Sequence, residues 1–566
     1  MRPFYLFSIF FVVIASLHGC ATSQASSTPS SRAEVPNPTP APSPIPTPPH
    51  VEMGHESLSA SGAVTALVLV RRLDGVNEHE GGPGIVGDRF GIFAVADDMD
   101  GDGTPDIIVG APRSDRGGTP GTNEGSVYVF SGAALLKGTD LKEALLYKVD
   151  GERTTNGTGE LGFRQSIATS DFDRDGFPDL AAGAWLADPI VNGNPQADAG
   201  TLFVLSGADL LRGMPQEMTL MFSLDGEAGS RLGRPTAVVG DINRDGVPDL
   251  FVGAHRASPS GLKNAGSGYL ISGADFRVLH LFDGAAANDF LGRSVMSPGD
   301  LNNDGYLDLA IGASQGDGGQ AGGIPAGPGY VDIYSGKDYS LIGRLTPPPD
   351  EPTGSFGQTT VYIPTPGSSA DLNGDGVPEI IVGSPEARAS LEGPSGKEGF
   401  PRTGSVYAYS GADFSLMYRF SGERGSTEAP AGQPSHETPA TGSVAGNVGD
   451  VFGDAVALVP DVDGDGVAEI MIGSPRGDGQ SSDGSYPPDL TDSGYAKIFS
   501  GKSGKLLARL NGSGTSTNMG HHVISVGDLN KDGHPDILIG SDLTDYGGTD
   551  AGSLYWYTIS LSSPVE

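Results

Sequence analysis

The chain has 566 residues, a formal net charge of −36, 88 glycines, 43 prolines and one cysteine. The acidity argues against nucleic acid as a partner, because phosphate binding needs a basic surface. A single cysteine excludes a disulfide framework within the chain. Turn residues are dense and apolar segments with a 3.6-residue period are scarce, so the composition favours an all-β fold.

The N-terminus has the pattern of an export signal. Arg2 is followed by an apolar run over 4–17 and by the tetrapeptide LHGC at 17–20. This arrangement resembles a bacterial lipoprotein signal, which implies that 1–19 is a signal peptide and that Cys20 is lipidated. An ordinary cleaved signal and an uncleaved anchor remain alternatives. Ala21 resembles a signal for sorting to the outer membrane, so we expect a bacterial cell-envelope protein that is surface-exposed or faces the periplasm.

Residues 20–50 are predicted to form a tether. Nine prolines lie among Ser, Thr and Ala between positions 21 and 50, a composition that cannot pack a core. In an extended polyproline conformation, thirty residues span about 90 Å. We therefore place the folded part at 51–566, held away from a membrane that the chain contacts only through its lipid.

An acidic nonapeptide occurs seven times, starting at residues 98, 171, 241, 300, 371, 461 and 528. A short apolar strand ending in glycine follows each copy. Each unit also has an apolar residue and glycine before the acidic segment, an aromatic-rich strand after it and then a fourth strand. Such a period indicates one repeat architecture with four strands per unit.

The two ends of the repeat region complement each other. The segment 66–75 matches the fourth element of a unit, whereas the seventh unit stops at its third element, 552–560. A β-propeller whose N-terminal strand completes the last blade would have this pattern, and closure would protect the strand edges. An insertion around 421–450 accounts for the longest spacing and is predicted to be a flexible loop.

The motifs resemble those of a known family. Phe90-Gly91, the nonapeptide 98–106 and Gly110-Ala111-Pro112 together resemble the FG-GAP repeat, which builds the seven-bladed propeller of integrin α subunits. The resemblance covers about residues 65–561. It implies an all-β, seven-bladed β-propeller. Leu or Met replaces the Phe of the motif in four repeats, which keeps an apolar residue at that position.

The acidic loops predict bound Ca²⁺, up to seven ions. Positions 1, 3 and 5 of each loop offer carboxylate or amide oxygens, position 7 a backbone carbonyl and position 9 a carboxylate. Glycine at position 6 permits the sharp turn. The side chains at positions 1, 3, 5 and 9 include no Cys or His, which argues against zinc. The alternative is a set of Asp/Asn-Gly turns with solvated carboxylates. The ions are expected to be structural.

The predicted metal ligands are, in chain order, Asp98, Asp100, Asp102, Thr104 and Asp106; Asp171, Asp173, Asp175, Phe177 and Asp179; Asp241, Asn243, Asp245, Val247 and Asp249; Asp300, Asn302, Asp304, Tyr306 and Asp308; Asp371, Asn373, Asp375, Val377 and Glu379; Asp461, Asp463, Asp465, Val467 and Glu469; and Asp528, Asn530, Asp532, His534 and Asp536.

The connections between second and third strands are long and varied, so we expect them to form a binding face opposite the acidic loops. Candidate ligand-binding residues there are Trp185, Arg256, Arg476 and Tyr486. Trp185 is the first candidate for a stacking contact. The pair His521-His522 follows Met519-Gly520 and is predicted to pack within a strand or to be exposed, and not to be a pair of ligands.

These features predict a calcium-stabilised cell-surface lipoprotein that acts as a non-catalytic binding or adhesion module. Its expected partner is an extracellular protein or polysaccharide. The first alternative is a propeller-type polysaccharide lyase or hydrolase, whose site could be assembled from several blades without a local motif. The second alternative is a structural component of the cell envelope.

Overall fold

The computed structural model describes residues 64–75, 87–115, 122–151, 159–316, 327–349, 355–360, 370–387, 403–422, 450–478, 492–545 and 550–561. The predicted signal peptide, Cys20, the tether, most of the insertion and Tyr486 lie outside these ranges. Within the described ranges, no helix is long and apolar enough to span a membrane.

Seven four-stranded antiparallel sheets form the blades of a propeller, as the repeats predict. The strands of blades 1 to 4 are, in chain order, Phe93–Asp97, Asp106–Ala111, Ser126–Phe130 and Leu145–Asp150; Ile167–Ser170, Asp179–Ala184, Thr201–Leu205 and Leu220–Asp225; Thr236–Gly240, Asp249–Ala254, Ser267–Ile271 and Val278–Asp283; and Leu291–Gly299, Asp308–Ala313, Tyr330–Tyr334 and Leu341–Leu345.

The strands of blades 5 to 7 are Thr359–Thr360, Ile380–Ser384, Ser405–Tyr409 and Leu416–Ser421; Ala455–Val459, Glu469–Ser474, Tyr495–Phe499 and Leu506–Asn511; and Met519–Gly527, Asp536–Ser541 and Ser553–Leu561, with Val64–Asp74 as the fourth strand of blade 7.

The N-terminal strand closes the ring. Val64–Asp74 pairs antiparallel with Ser553–Leu561, and Leu73 lies opposite Leu554 in this ladder. Leu73 is fully buried in the apolar core between blades. First strands of neighbouring blades contact one another around the ring, including those of blades 7 and 1. The predicted closure by the N-terminal strand is therefore confirmed.

Glycine pairs explain why the repeat needs its two glycine positions. The glycine near the end of each second strand lies so close to the next blade's first motif glycine that an added Cβ would collide with its carbonyl oxygen. Blade 7 makes this contact with blade 1, as the ring requires. The pairs are Gly110 and Gly162, Gly183 and Gly233, Gly253 and Gly292, Gly312 and Gly357, Gly383 and Gly453, Gly473 and Gly520, and Gly540 and Gly91.

Short helices occur where third strands end. Helix α1 (Gly132–Leu136) and helix α3 (Gly207–Leu211) follow blades' third strands and are capped by the hydroxyls of Ser131 and Ser206. Helix α2 is Leu141–Ala144. The remaining elements are the 3₁₀ turns Gln216–Met218 and Pro259–Gly261 and the ribbon of Ile190–Val191 with Asn194–Pro195.

Candidate metal centres

The seven acidic loops join the first and second strands of their blades and share one backbone arrangement. In every loop, the position 1 carboxylate accepts the N–H of the position 6 glycine, with N···O distances of 2.7 to 3.0 Å. These glycines have φ between +83° and +94°, a left-handed conformation that side chains disfavour. The local sequence therefore folds each loop around the carboxylate of its position 1.

The same regularity extends to position 5, whose carboxylate accepts the position 7 N–H at 2.8 to 3.0 Å in all seven loops. That contact turns the chain so that side chains of positions 1, 3 and 5 gather on one side. It uses one lone pair of the oxygen concerned and leaves another for a further interaction.

The carboxylates at position 9 are fully buried, and six of them begin the second strands of their blades, whereas Glu379 directly precedes its strand. In blades 1 to 4, Oδ1 of this residue accepts the N–H of the glycine that follows the third strand, as Gly132 donates to Asp106 at 2.9 Å. Oδ2 accepts from the loop itself, as the Asp100 N–H donates to Asp106 at 3.1 Å. Position 9 thus links its loop to the third strand.

The pKa values of these buried carboxyl groups are raised. Burial, followed by the charges of neighbouring carboxylates, raises the pKa of Asp106, Glu379 and Glu469 to about 7. Burial likewise raises the pKa values of Asp179 and Asp249 to about 6. A cation within the loop would favour the ionised forms and oppose both effects.

Two buried oxygens indicate that the loops suit a cation. Oδ1 of Asp98 and Oε2 of Glu469 are buried and have no hydrogen-bond partner. Buried polar atoms usually have one, and a hard cation would supply the missing interaction. Four loops also bring three carboxylates within 4.8 Å of one another and could hold a metal ion. These groups are Asp98, Asp100 and Asp106; Asp171, Asp173 and Asp179; Asp371, Asp375 and Glu379; and Asp461, Asp463 and Asp465.

Two of the four loops with Asn at position 3 are arranged differently. The side-chain amide of Asn373 donates to Asp375 at 3.0 Å and to Glu379 at 2.7 Å. Asn243 bridges Asp245 and Asp249 in the same way. These amides occupy hydrogen-bonding positions between the carboxylates, so a cation would have to displace them. The carboxylate-only loops are therefore the better metal sites on both charge and geometry.

The candidate residues for ligand binding lie near the opposite ends of the first strands. Trp185 is only 2% exposed, and its Nε1 donates to Glu160 at 3.0 Å. One neighbour of its ring is Phe163, with centroids 5.1 Å apart, and another is the Arg231 guanidinium at 4.7 Å. This burial does not suit an exposed stacking contact. Arg256 and Arg476 are half-buried, and Tyr486 lies outside the described residues.

The histidine pair packs within a strand, as predicted. His522 is buried, its ring centroid lies 4.5 Å from that of Phe93, and its Nε2 lies 2.7 Å from the Ala94 carbonyl oxygen. His521 lies beside it, with Nδ1 2.7 Å from Oδ1 of Asp542. Both histidines line a central depression among the first strands.

This depression contains functional groups that no local motif of the sequence marks. Its lining includes Arg164, Arg234, Gln358 and Asp454, contributed by four different blades. Arg164 and Asp454 form an ion pair with an N···O distance of 2.8 Å. In six of the seven repeats, the residue that follows the first glycine, or the next one, lines this depression; the fourth repeat is the exception. Aligning that position across the seven repeats was the signal that could have identified the ring.

Comparison with known proteins agrees with this architecture. The FG-GAP repeat model matches residues 90–130, 163–205, 234–271, 292–334, 367–409, 452–496 and 522–556, together more than half of the chain.

Similar proteins include integrin alpha-5 of Xenopus laevis, which is 27% identical over 233 residues, covering 40% of this chain and 20% of that protein. Integrin alpha-PS2 of Drosophila melanogaster is 29% identical, with coverage of 40% and 15%. Integrin alpha-8 of Homo sapiens is 27% identical, with coverage of 49% and 24%. This chain thus spans at most about a quarter of these relatives.

Among solved structures, BBS1N in complex with ARL6DN aligns with a TM-score of 0.43 at 8% identity, covering 89% of this chain and 100% of that one. The repeats themselves establish the kinship. Seven matches coincide with seven blades, each with its glycine contacts and its acidic loop. This chain therefore belongs to the FG-GAP repeat family and has an integrin α-like, seven-bladed β-propeller.

Proposed function

We propose that this chain is a calcium-stabilised cell-surface lipoprotein whose propeller is a non-catalytic binding or adhesion module for an extracellular protein or polysaccharide. The observation that carries the proposal is the common geometry of seven acidic loops on a closed ring. The LHGC motif at 17–20 and the proline-rich segment support the surface location. The integrin α relatives support a binding role, although fold alone does not determine function.

In this proposal, Ca²⁺ neutralises the carboxylates and fixes each loop between two strands. Positions 1, 3, 5 and 9 would provide side-chain oxygens and position 7 a carbonyl. In blades 1 to 4, position 9 also accepts the glycine N–H beyond the third strand, so a fixed loop would hold three strands of the blade together. Binding to the native state alone contributes about 2.7 kcal/mol per site at a ligand concentration of 100 Kd.

A melting experiment tests the structural role of calcium. Excess EGTA should lower the melting temperature and increase proteolysis in the acidic loops. Asp173→Ala should cost about 2–3 kcal/mol of unfolding free energy with calcium present and much less in EGTA. Without the ion, Asp173 retains only the exposed hydrogen bond that its Oδ1 accepts from the Asp175 N–H. Asp275→Ala is the matched control, since Asp275 is an exposed carboxylate outside the loops. Identical melting curves with calcium and with EGTA would reject the proposal of structural calcium.

A binding screen tests the adhesion role. The 51–566 fragment, with and without calcium, is applied to glycan arrays and to cell surfaces. Saturable, calcium-dependent binding is the expected result. Absence of any saturable ligand would favour the alternative of a structural envelope component.

One observation favours a second candidate, a polysaccharide lyase or hydrolase. His521 lies at the central depression between two carboxylates, with Nδ1 2.7 Å from Asp542 and Nε2 3.4 Å from Asp454. A histidine oriented by a carboxylate is a common general acid or base. Degradation of polysaccharides that disappears in His521→Gln, while calcium-dependent melting is unchanged, would support this candidate over the binding module.

A further inference from the structure

One side of the central depression is rich in guanidinium groups. Arg234 is 8% exposed and Arg293 is 7% exposed, and each follows the first glycine of its repeat. Arg164 and Arg234 line the depression. Arg293 lies outside this lining, with its Nη1 3.5 Å from the buried His255, and its charge acts on Arg234. Burial of several cationic groups at one place is costly unless anions accompany them.

The partners of Arg164 and Arg234 differ. Arg164 is paired with Asp454 at 2.8 Å. For Arg234, by contrast, the described residues place no carboxylate within 4.0 Å and no hydrogen-bond acceptor at its guanidinium. Its described neighbours are the rings of Phe163 and Trp185, whose centroids lie 4.7 and 5.4 Å from Cζ. Arg234 is thus a buried cation that lines the depression without an anionic partner.

The electrostatic surroundings of Arg234 agree with this geometry. Burial, followed by the positive charges of Arg293 and Arg164, lowers the pKa of the Arg234 guanidinium, and the opposing effects of Asp454 and Glu160 are smaller. An anion at Arg234 would offset both unfavourable effects and would accept the fork of N–H groups that arginine presents.

The size of the depression limits what can enter. The space open to the centres of water-sized groups is about 20 Å³, which is enough for roughly one or two such groups, as in the two oxygens of a carboxylate. Oε1 of Gln358, which lines it, is buried without a hydrogen-bond partner. The side-chain amide could rotate to donate instead, because amide orientation follows the hydrogen-bond network. These groups together suit one small acceptor rather than a whole sugar or peptide.

We propose that the depression lined by Arg164, Arg234, Gln358 and Thr359 binds one carboxylate of an acidic side chain on a protein ligand. Aspartate and glutamate carry the carboxylate on a narrow methylene stem that can enter a small opening. A uronic acid carries it directly on a wide sugar ring. This inference rests on the proposed binding function and names the chemistry of the ligand.

Two sources of negative charge could oppose a bound carboxylate. Asp454 lines the depression, but its charge is offset by the ion pair with Arg164 at 2.8 Å. The acidic loops are the second source, and they are distant. In blade 3, Arg234 precedes the first strand and the acidic loop follows it, so the strand Thr236–Gly240 separates the two. Five residues of strand span roughly 16 Å. This distance exceeds the Debye length of about 8 Å at physiological ionic strength, so the loop carboxylates are largely screened from an incoming carboxylate.

Tryptophan fluorescence can report occupancy of the site. The chain has two tryptophans. Trp185 lies beside Arg234, whereas Trp556 is fully buried in blade 7. The purified full chain, saturated with calcium, is titrated with sodium acetate at constant ionic strength, and with acetamide as the neutral isostere. We expect a saturable fluorescence change with acetate only, absent in Trp185→Phe. An equal response to acetamide would overturn the proposal without the need for any variant.

Substitution then assigns the response to the guanidinium. Arg234→Gln should weaken acetate binding at least tenfold, whereas the matched control Arg277→Gln, at an exposed side chain, should bind acetate as the parent protein does. Arg234→Lys retains the charge without the fork and should give an intermediate affinity. Equal acetate affinity in Arg234→Gln and Arg277→Gln, with both variants folded by circular dichroism, contradicts the proposal.

The last comparison identifies the source of the carboxylate. N-acetylglutamate amide should bind more tightly than glucuronic acid; the reverse order would reject a protein side chain as the ligand group. The result of the acetate titration can be distinguished from the result of the binding screen that tests the proposed function. A negative acetate titration with intact calcium-dependent surface binding would reject only this inference, and intact acetate binding without any macromolecular ligand would reject only the adhesion role.

Discussion

His522 is a buried base in the contact between blades 7 and 1. Its imidazole packs on Phe93 and hydrogen-bonds to the Ala94 carbonyl. Burial lowers the pKa of His522 from 6.5 to about 4. Between these values the unfolded chain binds a proton that the folded chain does not. The free energy of unfolding therefore falls as the pH falls from about 6.5 to about 4.

The expected loss from this one group is about 3 kcal/mol across that window. His522→Phe should remove most of it, so the unfolding free energy of the variant should depend less steeply on pH. Denaturant unfolding at saturating calcium between pH 7 and pH 4 measures the difference. The control His280→Phe replaces a half-buried histidine on an outer strand and should retain most of the dependence. Parallel pH curves for His522→Phe and the parent protein would contradict the explanation.

At the scale of the element, the contact between one blade and the next depends on paired glycines. The second strand of each blade is buried between its neighbours, and its glycine lets the next repeat's backbone approach closely. The same repeat start also forms a parallel bridge with the glycine before the preceding third strand, as Leu232 does with Gly200. The glycine at the start of one repeat and the glycine near the end of the second strand of the preceding blade therefore form the two sides of one contact between blades.

Gly183→Ala should destabilise the propeller by about 1–3 kcal/mol, because its new methyl group would meet the Gly233 backbone, which cannot rotate away. Gly514→Ala is the matched control, since its nearest neighbour would lie at 3.6 Å, an ordinary contact. Chemical denaturation of both variants measures the difference. Equal stability of the two variants would show that the blade contact adjusts without cost.

At the scale of the whole molecule, the ring depends on a strand that is distant in sequence from the blade it completes. Leu67 and Leu73 of Val64–Asp74 are buried beside the last blade. Full burial of one such side chain contributes about 1.5–3 kcal/mol. Removal of the strand would also leave the hydrogen-bonding edge of Ser553–Leu561 without its partner.

A fragment beginning at residue 76 should therefore be several kcal/mol less stable than the 51–566 fragment, or fail to fold. A fragment beginning at residue 64 should retain most of the stability because it keeps the closing strand. Thermal melting at saturating calcium compares the three. Equal melting temperatures for the fragments beginning at 64 and at 76 would show that the ring does not need this strand.

The sequence predicts the features that recur in every repeat well. It predicts poorly the features that combine residues from several repeats. Blade number, closure and loop positions recur in register, so each copy supports the others. Trp185 directly follows the Gly-Ala that ends a strand, so its position in the sequence predicts an exposed loop residue. In the structure, its side chain instead packs inward against Phe163 and Arg231. The central depression combines Arg164, Arg234 and Asp454 from three repeats, so no local pattern contains it.

The closing strand has a consequence for biosynthesis. Val64–Asp74 leaves the ribosome hundreds of residues before Ser553–Leu561, the strand with which it pairs. Until translation ends, this apolar segment has no strand to pair with. Even in the closed ring, three of its consecutive residues, Val68, Leu69 and Val70, are exposed. Nascent chains carrying it should therefore need protection by chaperones, and a stalled polypeptide should be prone to aggregate through this segment.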